Sequence, residues 1–322
     1  MNKTRIQWAQ TVLPDGTVIP GYTSNPLRAV LAYANQEEGI VSKYGHACVK
    51  VSAGCQNCYA EVWNRRFGTG QGFTVQGADE VEFVLDWREL WKVKRMQTPA
   101  SIFMCDTTDL FQDGVPDGIL LKMWRWMRDC SQHIFKILTN RPHRMREFVT
   151  ELGPAPNIWL GTTVENQAVA QGRIHDLVHT PASIRFLSVE PLLEHIDLKL
   201  PFWLSIKPGC INQVIVGGES GPKARPMDPQ WARDILSQCV DAGAVSNRVA
   251  FFMKQMGTCW AKAAEITEEG PKVFSIDSHG GDPTYWPPGL NVREWPNNGD
   301  AGSTVVSNDQ PFPRQSAARA GK

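Results

Sequence analysis

The chain has 322 residues, 42% of them hydrophobic and 20% charged, so it can bury a full core without disulfides or a partner. Lys+Arg and Asp+Glu both number 33, a formal net charge of +0, so no global field draws the molecule to nucleic acid or to anionic membranes. The start, MNKTRIQWAQTVLPDG, lacks a signal-peptide layout, and no stretch approaches the roughly 18 apolar residues of a membrane span, so the expected location is cytoplasmic with no membrane partner.

Residues 1–45 carry turn signals at Pro14-Asp15-Gly16 and Pro20-Gly21 and read as an irregular lead-in wrapping the outside of the domain. From about residue 100 the pattern becomes regular. Short apolar runs at Ile102–Cys105, Ile134–Leu138, Ile158–Gly161, Ile184–Val189, Val214–Val216 and Val249–Met253 read as buried strands. Between them lie helically spaced sets: Leu120, Met123, Trp124 and Met127; Met145, Phe148 and Val149; Ile174, Leu177 and Val178; Trp231, Ile235 and Leu236.

Strand alternating with helix calls for right-handed βαβ units and a parallel sheet, either open or closed. Each strand delivers polar residues at its C-terminal end: Asp106, Thr107 and Asp109, then Thr139, then Glu165, Glu190 and Glu219, with Lys254 last. A barrel gathers such ends on one face, so the expected fold is α/β, a partial or complete (βα) TIM-like barrel over residues 46–265. Residues 266–295 are then a C-terminal extension. The Asn-, Gly-, Ser- and Ala-rich stretch 296–322 is expected to be a disordered tail. Of twelve tryptophans, Trp124 and Trp126 suggest a base-stacking platform, but Trp124 falls on an apolar stripe and reads as core.

Eight cysteines in a reducing compartment are not expected to pair, yet three crowd into GHACVKVSAGCQNCYAE as C-x6-C-x2-C: Cys48, Cys55 and Cys58. Thiolates select zinc, copper(I) or iron–sulfur clusters. Three thiolates leave one iron of a four-iron cluster open to a ligand, whereas structural zinc wants four donors, which His46 would complete. Incidental core cysteines are the remaining reading.

That segment, with CDTTDLFQDGVPD, ILTNRPHRM, IWLGTTVEN, RFLSVEPLL and VIVGGESGPKARPM, resembles the phage-associated three-Cys-motif family, which is similar to radical S-adenosylmethionine enzymes. The resemblance covers roughly residues 1–265. It implies a barrel of the radical S-adenosylmethionine type, with a [4Fe-4S] cluster on the three cysteines and S-adenosyl-L-methionine on the open iron, ready for cleavage to a deoxyadenosyl radical. It also implies a bacterial or phage-infected cell and a separate three-Cys-motif partner protein. The common radical enzymes use C-x3-C-x2-C, so three extra residues separate the first two thiols here.

Expected cofactor-binding residues are Asp106, Thr107, Asp109, Thr139, Glu165, Glu190 and the Gly217-Gly218-Glu219 turn. Each has a bland counterpart. Asp106 and Thr107 would cap a helix, the glycines would satisfy turn dihedrals, and the glutamates would pair with Arg141, Arg144, Arg225 or Lys254. The alternative function is a zinc-stabilised barrel that binds a protein or nucleic-acid partner. His133, at a strand start, reads as a packing or surface histidine.

Overall fold

The computed structural model describes residues 1–35, 39–204, 209–245, 249–263, 277–296 and 303–305. The chain opens with β1 (Asn2–Lys3), the hairpin of β2 (Thr11–Val12) and β3 (Val18–Ile19), and β4 (Gly21–Ser24). Strands β5 (Leu27–Asn35), β6 (Gly39–Gly45) and β7 (Glu82–Leu85) form a small antiparallel sheet in the order β6-β5-β7. Helices α1 (Tyr59–Phe67) and α2 (Val75–Asp79) lie between β6 and β7, and α3 (Trp87–Arg95) follows β7.

Regular alternation then runs through β8 (Ser101–Met104), α4 (Asp117–Asp129), β9 (Ile134–Thr139), α5 (Pro142–Leu152), β10 (Ile158–Thr163) and α6 (Gln167–Val178). It continues with β11 (Arg185–Val189), α7 (Leu200–Leu204), β12 (Gln213–Gly217), α8 (Pro229–Val245), β13 (Ala250–Gln255) and α9 (Thr258–Ala263). A last pair, β14 (Glu294–Pro296) and β15 (Ser303–Val305), is antiparallel.

The main sheet has eight strands in the order β1-β4-β8-β9-β10-β11-β12-β13. Every neighbouring pair from β4 to β13 is parallel, and only β1 runs antiparallel, on β4. This is a half-barrel. A closed barrel takes eight parallel strands, whereas here the sheet ends at two-residue β1 on one edge and β13 on the other, so the complete TIM-like barrel is not reached.

Side-chain alternation along the strands sorts two cores. Ile102, Met104, Phe135, Ile137, Leu160, Leu187, Val214, Val216, Phe251 and Met253 face the helices. Phe103, Ile134, Trp159, Phe186, Ile215 and Phe252 face the concave side, where Trp8 and Trp295 join them. Both faces are apolar, which is why these strands read as continuous hydrophobic runs. On α4 the stripe Leu120, Met123, Trp124 and Met127 is buried, each side chain contributing about 1.5–3 kcal/mol.

All six expected strands are present, and Trp124 is core at 2% exposure. The lead-in is not irregular: it holds β4, a full member of the parallel sheet, and the β5–β6 hairpin. The sequence of β4, GYTS, carries no apolar run, so only its partner β8 reveals it as a strand. Most of the expected tail lies outside the described residues, but Pro296 and Ser303 are paired. The expected extension is described from residue 277 onward.

Candidate functional site

The segment between β6 and α1 lies across the C-terminal ends of the half-barrel strands. It is fastened there at several points. Beyond β8, the Asp106 carbonyl accepts from the Tyr59 hydroxyl at 2.7 Å. Beyond β9, Arg141 donates to the Val49 carbonyl at 2.9 Å. Beyond β10, Glu165 accepts from the Gly54 amide at 3.2 Å, and a side chain at residue 54 would press on Glu165. Beyond β12, Arg225 donates to the Ala53 carbonyl at 3.1 Å, and Asn57 reaches Glu219 at 3.2 Å and the Lys223 carbonyl at 2.9 Å.

This loop carries Cys48, Cys55 and Cys58, all free and half-buried. Cys55 lies within electrostatic reach of both other thiols. Burial, and next the carboxylate of Asp109, pushes the Cys48 thiol up to about 12; burial raises Cys58 as well. Among the described residues no group of three or more His, Cys, Asp or Glu side chains is arranged to hold a single metal ion. A tetrahedral zinc with bonds of about 2.3 Å needs its sulfurs nearly in contact. A cluster seats each sulfur on a separate iron and tolerates a wider spread.

His46 is buried and fully engaged. Its Nε2 lies 3.0 Å from Arg28 Nη1, and its Nδ1 lies 3.0 Å from Thr107 Oγ1 and 3.1 Å from Thr108 Oγ1. A guanidinium only donates, so Nε2 accepts and the ring proton sits on Nδ1. Burial, then Arg28, lowers the ring to about 4. Neither nitrogen is left for zinc.

Four strand-end carboxylates are neutralised in place. Asp109 accepts from Thr139 Oγ1 at 2.6 Å, the Asn140 amide at 3.0 Å and Arg141 at 2.9 Å. Glu165, fully buried, pairs with Arg173 at 2.9 Å. Glu190 pairs with Lys254 through Oε2, while its buried Oε1 has no hydrogen-bond partner among the described residues. Glu219 takes both a side-chain fork and the backbone amide of Arg225, at 2.6–2.8 Å, which holds its carboxyl below the usual range despite burial.

Asp106 differs. It accepts from Asn25 Nδ2 and, at 3.3 Å, from the Tyr59 hydroxyl, and no lysine or arginine pairs with it among the described residues. Burial raises its pKa. Tyr59 also lies within electrostatic reach of Cys58 and Glu190, so these groups share one neighbourhood.

Thr107 is spent on His46, and its amide on Asn25 at 3.2 Å. The Gly218 amide donates to the Gln255 carbonyl at 3.0 Å, and its own carbonyl accepts from Gln255 Nε2 at 2.9 Å. A side chain at Gly218 would collide with the Met256 carbonyl, so that glycine serves close packing of the β12 and β13 ends. Gly217 leaves room for Glu190. Sequence reasoning missed Asn25, Tyr59 and Arg173. The one available signal was that Tyr59 directly follows Cys58.

Residues 43–303 match a family described as protein of unknown function (DUF5131). The chain belongs to that family. The match takes in all six segments that carry the resemblance, leaves β1 through β5 outside, and runs past the expected limit at 265. No curated protein matches. No solved structure matches either. No helix among the described residues is long and apolar enough to cross a membrane.

Proposed function

We propose that this DUF5131 protein is an iron–sulfur protein of radical S-adenosylmethionine type, with Cys48, Cys55 and Cys58 as cluster ligands. One observation carries the reading: three free thiols on one loop, fastened across the C-terminal ends of a parallel βα sheet. That is the face where such sheets gather their chemistry. A bound cluster would supply single electrons at an iron open to a second ligand.

The rest falls to the chain. Arg141, Arg225 and Glu165 hold the loop backbone, so the thiols are set before any metal arrives. Among the described residues, Asp106 offers a carboxylate with no counter-ion and Glu190 a buried oxygen with no donor, an arrangement suited to a cationic ligand such as a sulfonium amino acid. The same loop covers the strand ends. The zinc alternative has less support, because both ring nitrogens of His46 are already engaged.

Anaerobic reconstitution with iron and sulfide should give broad absorbance near about 400 nm that is lost when all three cysteines become alanine. Asp106→Asn should weaken S-adenosylmethionine binding about tenfold, a cost typical of one charged contact, with iron content unchanged. Stoichiometric zinc without that absorbance, or iron retained in the triple variant, would overturn the assignment.

A further inference from the structure

Helix α3, WRELWKVKR, divides sharply between its two sides. Leu90 and Val93 are buried in the core. Glu89 is buried too, holding the Met1 amine at 2.9 Å and Arg28 at 3.0 Å. Asp86, the N-cap, turns its carboxylate onto the amides of Arg88 and Glu89. The helix therefore shows no acid on its outer side. That side carries Trp87, Arg88, Trp91, Lys92, Lys94 and Arg95, all exposed.

The four cations have no ion-pair partner among the described residues, whereas Arg141, Arg144, Arg146, Arg173 and Arg225 are all paired. Arg88, Trp91, Lys92 and Arg95 line a shallow hollow of about 460 Å³, following the i, i+3, i+4, i+7 spacing of one helix face. The two indoles are 49% and 48% exposed, and Lys94 Nζ sits 5.3 Å from the Trp91 ring centroid. In a chain with a net charge of +0, this run of cations without ion-pair partners among the described residues gives the face a local positive field that the whole chain lacks.

We propose that the outer face of α3 is a binding site for single-stranded nucleic acid. Arg88, Lys92 and Arg95 would take backbone phosphates, and Trp87 and Trp91 would stack on bases. Interleaved cations and flat aromatic rings are what sequence-tolerant strand binding needs, since every base presents a π face and every nucleotide a phosphate. A lipid surface fits less well. An interfacial helix inserts a broad apolar face, whereas the aliphatic residues of α3, Leu90 and Val93, are buried in the protein and its outer side offers two indoles among four cations. An acidic peptide would satisfy the cations but leave the two indoles without purpose. The proposal does not depend on a cluster.

The test uses the full chain and a fluorescein-labelled 20-nucleotide oligothymidylate, read by anisotropy between 50 and 200 mM salt, a range over which phosphate contacts weaken measurably, with about 20 nucleotides ample for one site. The triple variant Arg88→Gln, Lys92→Gln, Arg95→Gln should bind at least about tenfold more weakly and lower the salt slope by about 2, since each lost phosphate contact removes about 0.7. Trp91→Ala should weaken binding about tenfold while keeping the wild-type salt slope, because stacking releases no counterions. Thermal melts matching wild type would show both variants folded, as their exposed positions predict. Absence of oligonucleotide binding by the wild type would overturn the proposal, as would affinity unchanged in both variants. Binding to phosphatidylserine vesicles or to polyglutamate in place of the oligonucleotide would also overturn it.

Discussion

His46 shows how much of a site is set by single residues that do no chemistry. It sits between Arg28 and the hydroxyls of Thr107 and Thr108, tying the start of the cysteine loop to the end of β8. Because its folded pKa is about 4 against an unfolded 6.5, the native ring stays neutral where the unfolded ring takes a proton. Its contribution is complete above pH 6.5 and is lost as pH falls toward 4, in total about 3 kcal/mol at about 1.4 kcal/mol per unit. Urea denaturation at pH 7 and pH 4.5 should therefore show a drop in stability that His46→Gln shares only in part. An identical pH slope in that variant would mean the ring is not held neutral. That three cysteines share one loop was legible from spacing alone. Arg225 and Lys254 were legible as partners of Glu219 and Glu190. Arg173 and Asn25 were not, because Arg173 reaches Glu165 from the next helix and Asn25 reaches Asp106 across 81 positions of sequence.

At the scale of elements, strands of Ile, Val and Phe could be read from sequence because both faces of the sheet are buried. What the pattern could not show is which residues face inward. Gly161 of β10 and Phe186 of β11 occupy the same concave layer, and the Phe186 ring fills the space that a side chain at residue 161 would take. Gly161→Ala should cost about 1–3 kcal/mol through overpacking. Gly172, mid-way along α6, has nothing within 4 Å of the position a side chain would occupy, and Gly172→Ala should stabilise by about 0.4–1 kcal/mol. Chemical denaturation of the two variants checks both signs, and equal effects would show that the layer assignment is wrong. The α3 stripe escaped sequence reading for a related reason. Trp87 and Trp91 have the spacing of a core face, and only the burial of Leu90 and Val93 shows which side looks outward.

For the whole molecule the question is how a sheet that does not close keeps its concave face dry. Seven parallel strands leave a gap between β4 and β13 where a barrel would place another strand. The short 3-10 turn Gln7–Ala9 fills it, touching β4, β8 and β13 together. Its Trp8 is 2% exposed and packs on Phe103 at 4.7 Å and Phe186 at 5.7 Å, so one side chain bridges distant strands. The buried Lys136 Nζ donates to the Trp8 and Gln10 carbonyls at 2.7 and 2.8 Å, and Trp295 donates to the same Gln10 carbonyl at 3.0 Å. Segments near both ends of the chain thus meet over the open side and stand in for the missing strand. Trp8→Ala should cost about 3–5 kcal/mol in urea denaturation, the usual loss for a buried tryptophan. It should also increase binding of a hydrophobic dye such as ANS at native pH, because the inner layer becomes accessible. A loss below about 1 kcal/mol, the size of an ordinary surface change, would show that the half-barrel holds its concave layer without the strap.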